Sequence, residues 1–360
     1  MKNNHYLEIF QVFLKLGFTA FGGPAAHVSM MEHEIVEKRK WLDKEKFIDM
    51  FGLTSLIPGP NSTEMAIFLG YERGGFIGLM IAGVSFIAPA LIMVMIFTHL
   101  YVTYGSIPAV TNILDGIKPV VIAIILNALL KLLPTVIKNK YFNLFTFIVT
   151  FALSLFGIAE LPLLFGIGLF VFLYNYTMEN RNKVRVIEPI SLLLLFLTFL
   201  KIGAVLYGSG YVLLSFLETE FVQNLGVLTQ EQLIDAVAIG QLKPGPVFAT
   251  AASIGYMLRG IPGSLLASAG IFLPSFLLVA LLNPILHKLR ESKNLKFILE
   301  GVNIASLALM ASVLFRLFQS SVVDIPTGIV AIVAFVLLKV YKVNTVYLIA
   351  LGALFGFFFI

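Results

Sequence analysis

Long apolar runs broken by short polar or charged stretches set the plan of this chain. Residues 6–21 are apolar yet carry Glu8, Gln11 and Lys15, and the run is short for a crossing. Both features suit a helix packed within protein rather than one facing lipid. A charged stretch follows over 32–46, with Trp41 placed as an interfacial anchor. Residues 47–57 and 61–71 are apolar arms of roughly 16 Å each as helix, about half a bilayer. Between them stands Pro58-Gly59-Pro60. Proline cannot continue a helix and glycine opens backbone angles that other residues avoid, so the chain must unwind there. The pattern predicts a re-entrant helical hairpin, then spans at 76–102, 107–133, 141–157 and 161–178, and a polar linker at 179–186.

The plan then repeats. A shift of 186 positions maps Lys15 onto Lys201, Gly17 onto Gly203, Gly22 onto Gly208, Asp49 onto Asp235, and Pro58-Gly59-Pro60 onto Pro244-Gly245-Pro246. After a one-residue deletion, a shift of 185 maps Tyr71 onto Tyr256, Gly75 onto Gly260, Gly78 onto Gly263 and Pro89 onto Pro274. The chain therefore reads as an internal duplication, residues 1–178 and 187–360 joined by 179–186. If each half has about five crossings and one hairpin that does not cross, the halves lie upside down to one another. The predicted fold class is an all-α polytopic membrane protein of two inverted-topology repeats, each about five transmembrane helices plus a Pro-Gly-Pro re-entrant hairpin.

Composition agrees with a bilayer setting. Of 360 residues, 59% are hydrophobic and only 12% charged, against about 25% for a soluble domain. Charge then fixes a sidedness. With Arg181, Lys183 and Arg185 inside, Lys38–Lys46, Lys131, Lys138, Lys140, Lys288, Arg290, Lys293, Lys339 and Lys342 also fall inside. Asp115, Glu160, Glu218, Glu220, Glu231, Asp235 and Asp324 fall outside, as do both termini. The net charge of +5 thus records topology and gives no reason to expect nucleic acid. No cleavable signal peptide is legible at the start. There are no cysteines, and the five histidines show no ligand spacing, so neither a metal nor a cofactor is expected.

In hydrocarbon, unwound backbone is tolerated only where it is buried in protein or lines a watery cavity. Two such breaks at matching places predict a binding site. At each break a helix starts, at Asn61 and at Val247. Its first amides lack intrahelical partners and its dipole end is positive, which favours an anion. Asn61, Ser62 and Thr63 add side-chain donors in the first half, and Thr250 is the nearest hydroxyl in the second. The bland alternative is a hairpin turn with an ordinary helix cap; its recurrence in both halves favours the site.

Further candidates surround the breaks. Lys15 and Lys201 could complete a cage for a divalent oxyanion, or could snorkel to the interface. Lys243 directly precedes the second break, where Ile57 stands in the first, and could add positive charge or sit at an interface. Gly22-Gly23 and Gly208-Ser209-Gly210 could let backbone approach a ligand, or could simply end helices. Glu64, with Thr250 at the matching position, could carry a coupled proton or pair with a lysine. Asp49 and Asp235 on the arms leading in are proton-coupling candidates of the same kind, with structural pairing as the alternative.

Taken together, Phe21-Gly22-Gly23-Pro24-Ala25-Ala26-His27, Pro58-Gly59-Pro60-Asn61-Ser62-Thr63 and Gly240-Gln241 leading to Pro244-Gly245-Pro246-Val247 resemble the chromate ion transporter family, in its long form of two fused homologous halves. The resemblance spans nearly the whole chain. It implies export of chromate from the cytoplasm across the cell membrane, driven by the proton gradient and conferring chromate resistance, with sulfate as the close chemical relative. The signature positions it carries over are Gly22, Gly23, Pro24, His27, the first Pro-Gly-Pro-Asn-Ser-Thr, and Gln241 with the second Pro-Gly-Pro. Glu64 stands where Gln is expected, Ser55 where the second half has Gln241, and Lys243 where Thr is expected.

The expected partners are the anion, protons and the lipid bilayer, in a monomer or homodimer. A sulfate or other oxyanion carrier, an uptake system and an anion channel share this fold expectation. An intramembrane enzyme does not fit, since no paired metal ligands, nucleophile–base motif or nucleotide loop is present.

Overall fold

The computed structural model describes residues 2–20, 24–54, 57–105, 107–137, 141–156, 163, 166, 191–206, 212–282 and 293–359. Among them every regular element is helical. The expected span at 161–178 (apart from Leu163 and Gly166), the linker and Gly22, Gly23, Ser55, Gly208 and Ser209 lie outside the described residues.

The chain forms α1 (Lys2–Thr19), α2 (Pro24–Glu32, continued by a π-helical turn at His33–Lys38), α3 (Lys44–Thr54), α4 (Asn61–Tyr104), α5 (Pro108–Ile137) and α6 (Tyr141–Leu155). Then come α7 (Leu192–Val205), α8 (Leu213–Leu217, with a π-helical turn at Glu218–Asn224), α9 (Gln230–Gln241), α10 (Thr250–Leu282, led in by a 3-10 turn at Val247–Ala249), α11 (Lys293–Ser321), α12 (Ile325–Lys339) and α13 (Thr345–Phe359). Four stretches are long and apolar enough to cross a membrane: Asn61–Tyr104, Pro108–Pro134, Val247–Leu281 and Glu300–Ser321. Phe76, Phe145, Ile332 and Phe358 are large apolar residues left more than half exposed, as lipid-facing surface would be. The protein is a multi-pass, helical membrane protein.

The hairpin arm and the span expected after it form one continuous path, α4, bent sharply at Gly74 (φ −142°, ψ 17°) and Gly75 (φ 61°, ψ −151°). Only glycine takes the second conformation without strain. The bend in α10 has almost the same angles, at Arg259 (−144°, 21°) and Gly260 (61°, −151°). Along a straight helix, residues eight apart would be about 12 Å distant. Across these bends Gly70 and Gly78 touch, as do Gly255 and Gly263, so closely that a Cβ on any of the four would strike backbone. Small residues allow such approach, which counts where lipid gives no hydrophobic drive to pack helices.

The chain gathers into two compact units, and each draws on both halves of the sequence. The first holds Met1–Val102, Ser191–Gly210 and Ile239–Glu291. Its core includes Ile9, Phe13, Phe47, Phe68 and Phe86. Gly203 of α7 packs against the Ile271 carbonyl of α10, and Gly17 of α1 against the Phe86 carbonyl of α4. At one edge Glu8 accepts hydrogen bonds from Arg39 (2.9 Å), Arg73 (3.1 Å) and Trp41 Nε1 (3.2 Å), and the Arg73 guanidinium stacks over the Trp41 ring. Arg73 directly precedes the bend in α4, so this network anchors it.

The second unit holds Thr103–Ile190, Tyr211–Ala238 and Ser292–Ile360. Gly352 and Gly356, one turn apart on α13, meet Gly116 and the Asn112 carbonyl on α5. Polar clasps join its other helices: Arg316 Nε to Glu218 (2.7 Å), Asn143 Nδ2 to Glu300 (3.0 Å) and Ser154 to Ser312 (2.7 Å).

Candidate functional site at the two helix breaks

Both breaks lie in the first unit. At the first, α3 stops at Thr54, and α4 starts again at Asn61. Gly59 sits at φ +136° and its amide donates to the carbonyl of Leu206, the residue ending α7, at 2.8 Å. At the second, Gly245 sits at φ +89° and its amide donates to the carbonyl of Ala20, just past α1, at 2.9 Å. The Thr63 amide donates to Pro60 (2.7 Å), and the Ala249 amide to Pro246 (3.1 Å). All these pairs obey the same sequence shift. Each break is therefore tied to the first helix of the opposite half.

The opposite half's long helix also covers each break. A Cβ on Gly59 would stand 2.6 Å from Ser275 Oγ on α10, and one on Gly245 would stand 2.9 Å from the Ala90 Cβ on α4. Ser275 and Ala90 follow the matching prolines Pro274 and Pro89.

Side chains now separate the two breaks. At the first, the Glu64 carboxyl curls back over Gly59 and is wholly buried. Its Oε1 accepts from Ser275 Oγ at 2.6 Å, while Oε2 is buried without a hydrogen-bond partner among the described residues. Thr63 Oγ1 is likewise buried, with no hydrogen-bond partner among the described residues. Ser62 Oγ lies 3.2 Å from Nδ1 of His27, a buried ring that meets Phe86 edge-on. At the second, Lys243 is 5% exposed, and its ammonium donates to the Pro246 carbonyl of its own break. No carboxylate pairs with it among the described residues. Gln241 Nε2 is a further buried donor without a partner among the described residues.

Buried polar atoms are nearly always satisfied, so a cluster of orphans needs an explanation. Among the described residues the unpartnered or weakly partnered groups here are Thr63 and Glu64 in the first turn of α4, Gln241 at the end of α9 and Lys243 in the second break. A hydroxyl, a side-chain amide and an ammonium are donors of the kind that bond an oxyanion.

Other expected residues lie elsewhere. Lys15 is half exposed and bonded to Glu34 at 2.8 Å, and Lys201 is exposed. Burial alone would raise the Glu34 carboxyl, but hydrogen bonds from Lys15 and Arg39 outweigh it and hold the group below its ordinary range. Asp49 is exposed on α3. Asp235, in the second unit, lies 3.4 Å from Lys118 Nζ, which also meets Asp115 (2.8 Å) and Glu231 (3.2 Å). Thr250 Oγ1 donates to the Val247 carbonyl as an ordinary helix start does. Ser275 and the Leu206 and Ala20 carbonyls went unforeseen in the sequence, where only the repeated proline before Ser275 pointed their way. Buried Lys118 was missed as well, although a lysine inside an apolar run is itself a signal.

The family model described as Chromate transporter matches twice, over residues 7–173 and again over 193–357. This chain belongs to the chromate transporter family. The family member is 29% identical to the chromate transport protein of Cupriavidus metallidurans, over 97% of this chain and 92% of that one. It is 28% identical to a probable chromate transport protein of Synechococcus elongatus, over 91% of this chain and 88% of that one. A chromate transport protein of Pseudomonas aeruginosa matches at 24% identity, over 89% of this family member and 83% of the relative. No solved structure matches it.

Proposed function

We propose that this chain is a secondary transporter that carries chromate out of the cytoplasm across the cell membrane, energised by the proton-motive force, and so confers chromate resistance. The breaks at Pro58-Gly59-Pro60 and Pro244-Gly245-Pro246 form its oxyanion site. The observation that carries the reading is Lys243, a buried ammonium at the second break with no carboxylate partner among the described residues; Gln241 Nε2 before that break and Thr63 Oγ1 after the first are also buried without a hydrogen-bond partner among them. A buried charge is costly unless something of opposite sign arrives to meet it.

The two halves are inverted repeats of about five crossings each, with the breaks as re-entrant hairpins. The duplicated bend angles and the exchanged glycine bonds support that arrangement. Sulfate is a tetrahedral dianion like chromate and fits the same donors, so it competes for the site.

Flux into proteoliposomes tests the reading. Chromate uptake should saturate, respond to an imposed gradient, be inhibited by sulfate, and collapse in Lys243→Met and Asn61→Ala while both variants remain folded. Full flux in both variants moves the site elsewhere. Unsaturable, gradient-independent conduction makes the protein a channel.

A further inference from the structure

We propose that the Glu64 carboxyl binds a proton together with the oxyanion, so that proton and anion cross in the same direction. The inference rests on the reading that the breaks hold the anion.

The geometry leaves the carboxyl one job unfilled. Glu64 is fully buried, and Oε1 is committed to the Ser275 hydroxyl. Oε2 has no donor, and no lysine, arginine or histidine forms an ion pair with Glu64 among the described residues. The group lies on Gly59 within the first break, one helical turn from the start of α4. An ionised carboxylate there offers a dianion only repulsion, acceptor against acceptor. With a proton on Oε2 the same group becomes an O–H donor to one oxygen of the anion, while Oε1 still accepts from Ser275. The bound state then holds a neutral carboxyl, one dianion and the Lys243 ammonium.

The neighbouring groups act with the same sign. Facing the carboxyl from α10 is an uncharged hydroxyl, Ser275. The other titratable groups beside the breaks are His27 on α2, bonded to Ser62, and Lys243 at the second break. Each attracts the anion more strongly when it carries its proton. Linkage is reciprocal: if the proton helps the anion bind, the anion helps the proton bind by the same factor. That is the signature of cotransport, whereas exchange requires the two to compete. A dianion with one proton keeps a single negative charge, so outward movement draws on the interior-negative potential and runs against an interior-alkaline gradient.

Calorimetric titration of sulfate into the detergent-solubilised protein, between pH 6 and 9 and in two buffers of different ionisation enthalpy, tests this. The expected result is proton uptake on binding, an affinity that falls as pH rises by up to tenfold per unit, and a clear reduction of both effects in Glu64→Gln, down to what His27 and Lys243 supply. Proton release, an affinity that is flat or rises with pH, or uptake that is undiminished in Glu64→Gln overturns the inference but leaves the anion site standing. Absence of saturable binding at every pH overturns the site reading itself. In vesicles clamped at zero potential, an inward proton gradient should draw sulfate inward; sulfate driven outward overturns the inference independently.

Discussion

The Gly59 amide donates to the Leu206 carbonyl at 2.8 Å, a bond that joins the break of one half of the sequence to a helix end of the other. Its counterpart, Gly245 to Ala20 at 2.9 Å, runs the opposite way. Neither half can complete its own break. Alanine at either glycine should therefore damage the fold as well as the site. Both have positive φ, and a Cβ would meet Glu64 and Ser275 in one case and Ala90 in the other. We expect each substitution to cost about 1–3 kcal/mol, with Gly59→Ala the worse because a buried carboxyl must move. Thermal unfolding of the purified variants measures this, and equal, negligible shifts would contradict it.

Lys243→Met should separate stability from binding. The lysine is bonded to a backbone carbonyl and to no carboxylate among the described residues, so its removal relieves a buried charge while losing one hydrogen bond. Stability without anion should stay within about 1 kcal/mol of wild type. Sulfate affinity should fall at least tenfold, about 1.4 kcal/mol. Paired melting and binding curves check both halves of the statement.

Lys118→Met should behave in the reverse manner. This buried lysine neutralises Asp235, which is only 4% exposed, and also meets Asp115 and Glu231. Removing it takes away the ammonium that faces this buried carboxylate, at a cost of about 3–5 kcal/mol. Adding Asp235→Asn should recover much of that loss. A double-mutant cycle that shows simple additivity would mean the pair is not coupled.

Glu34 supplies an acid-sensitive contact. Hydrogen bonds from Lys15 and Arg39 hold its folded carboxyl below the ordinary 4.5. A depressed acid adds stability above its unfolded value, and that stability is lost as pH falls through the lower folded value. Melting temperature should thus drop more steeply below pH 4.5 in wild type than in Glu34→Gln. Lys15→Ala, by contrast, should leave sulfate affinity within about twofold, since Lys15 is half exposed and exposed pairs contribute little.

Much of this architecture was legible in the sequence because proline and glycine act locally. Pro58-Gly59-Pro60 and Pro244-Gly245-Pro246 announce their breaks, and the starts of α4 at Asn61 and of the 3-10 turn at Val247 follow from them. Gly75 and Gly260 were visible as a matched pair, yet not as bends, since a lone glycine inside an apolar run is compatible with a continuous helix. Lys15 attracted attention as an intramembrane cation because its partner, Glu34, lies 19 residues away in a stretch that reads as loop. The hydroxyl that meets Glu64 comes from Ser275, 211 residues later. Apolar periodicity says which face of a helix is buried and nothing about which distant side chain it will meet.

The breaks share a backbone but not a chemistry. Where the first carries Glu64, the second has Thr250; where the second carries Lys243, the first has Ile57; Ser275 on one long helix answers to Ala90 on the other. Two identical subunits assembled about a twofold axis could not have produced this. Any acid or base would have appeared twice, facing its own copy. In one polypeptide, by contrast, each copy can carry residues that the other does not share. Glu64 and Lys243 thus mark where the two copies have diverged in side chains, on a backbone frame that both still share.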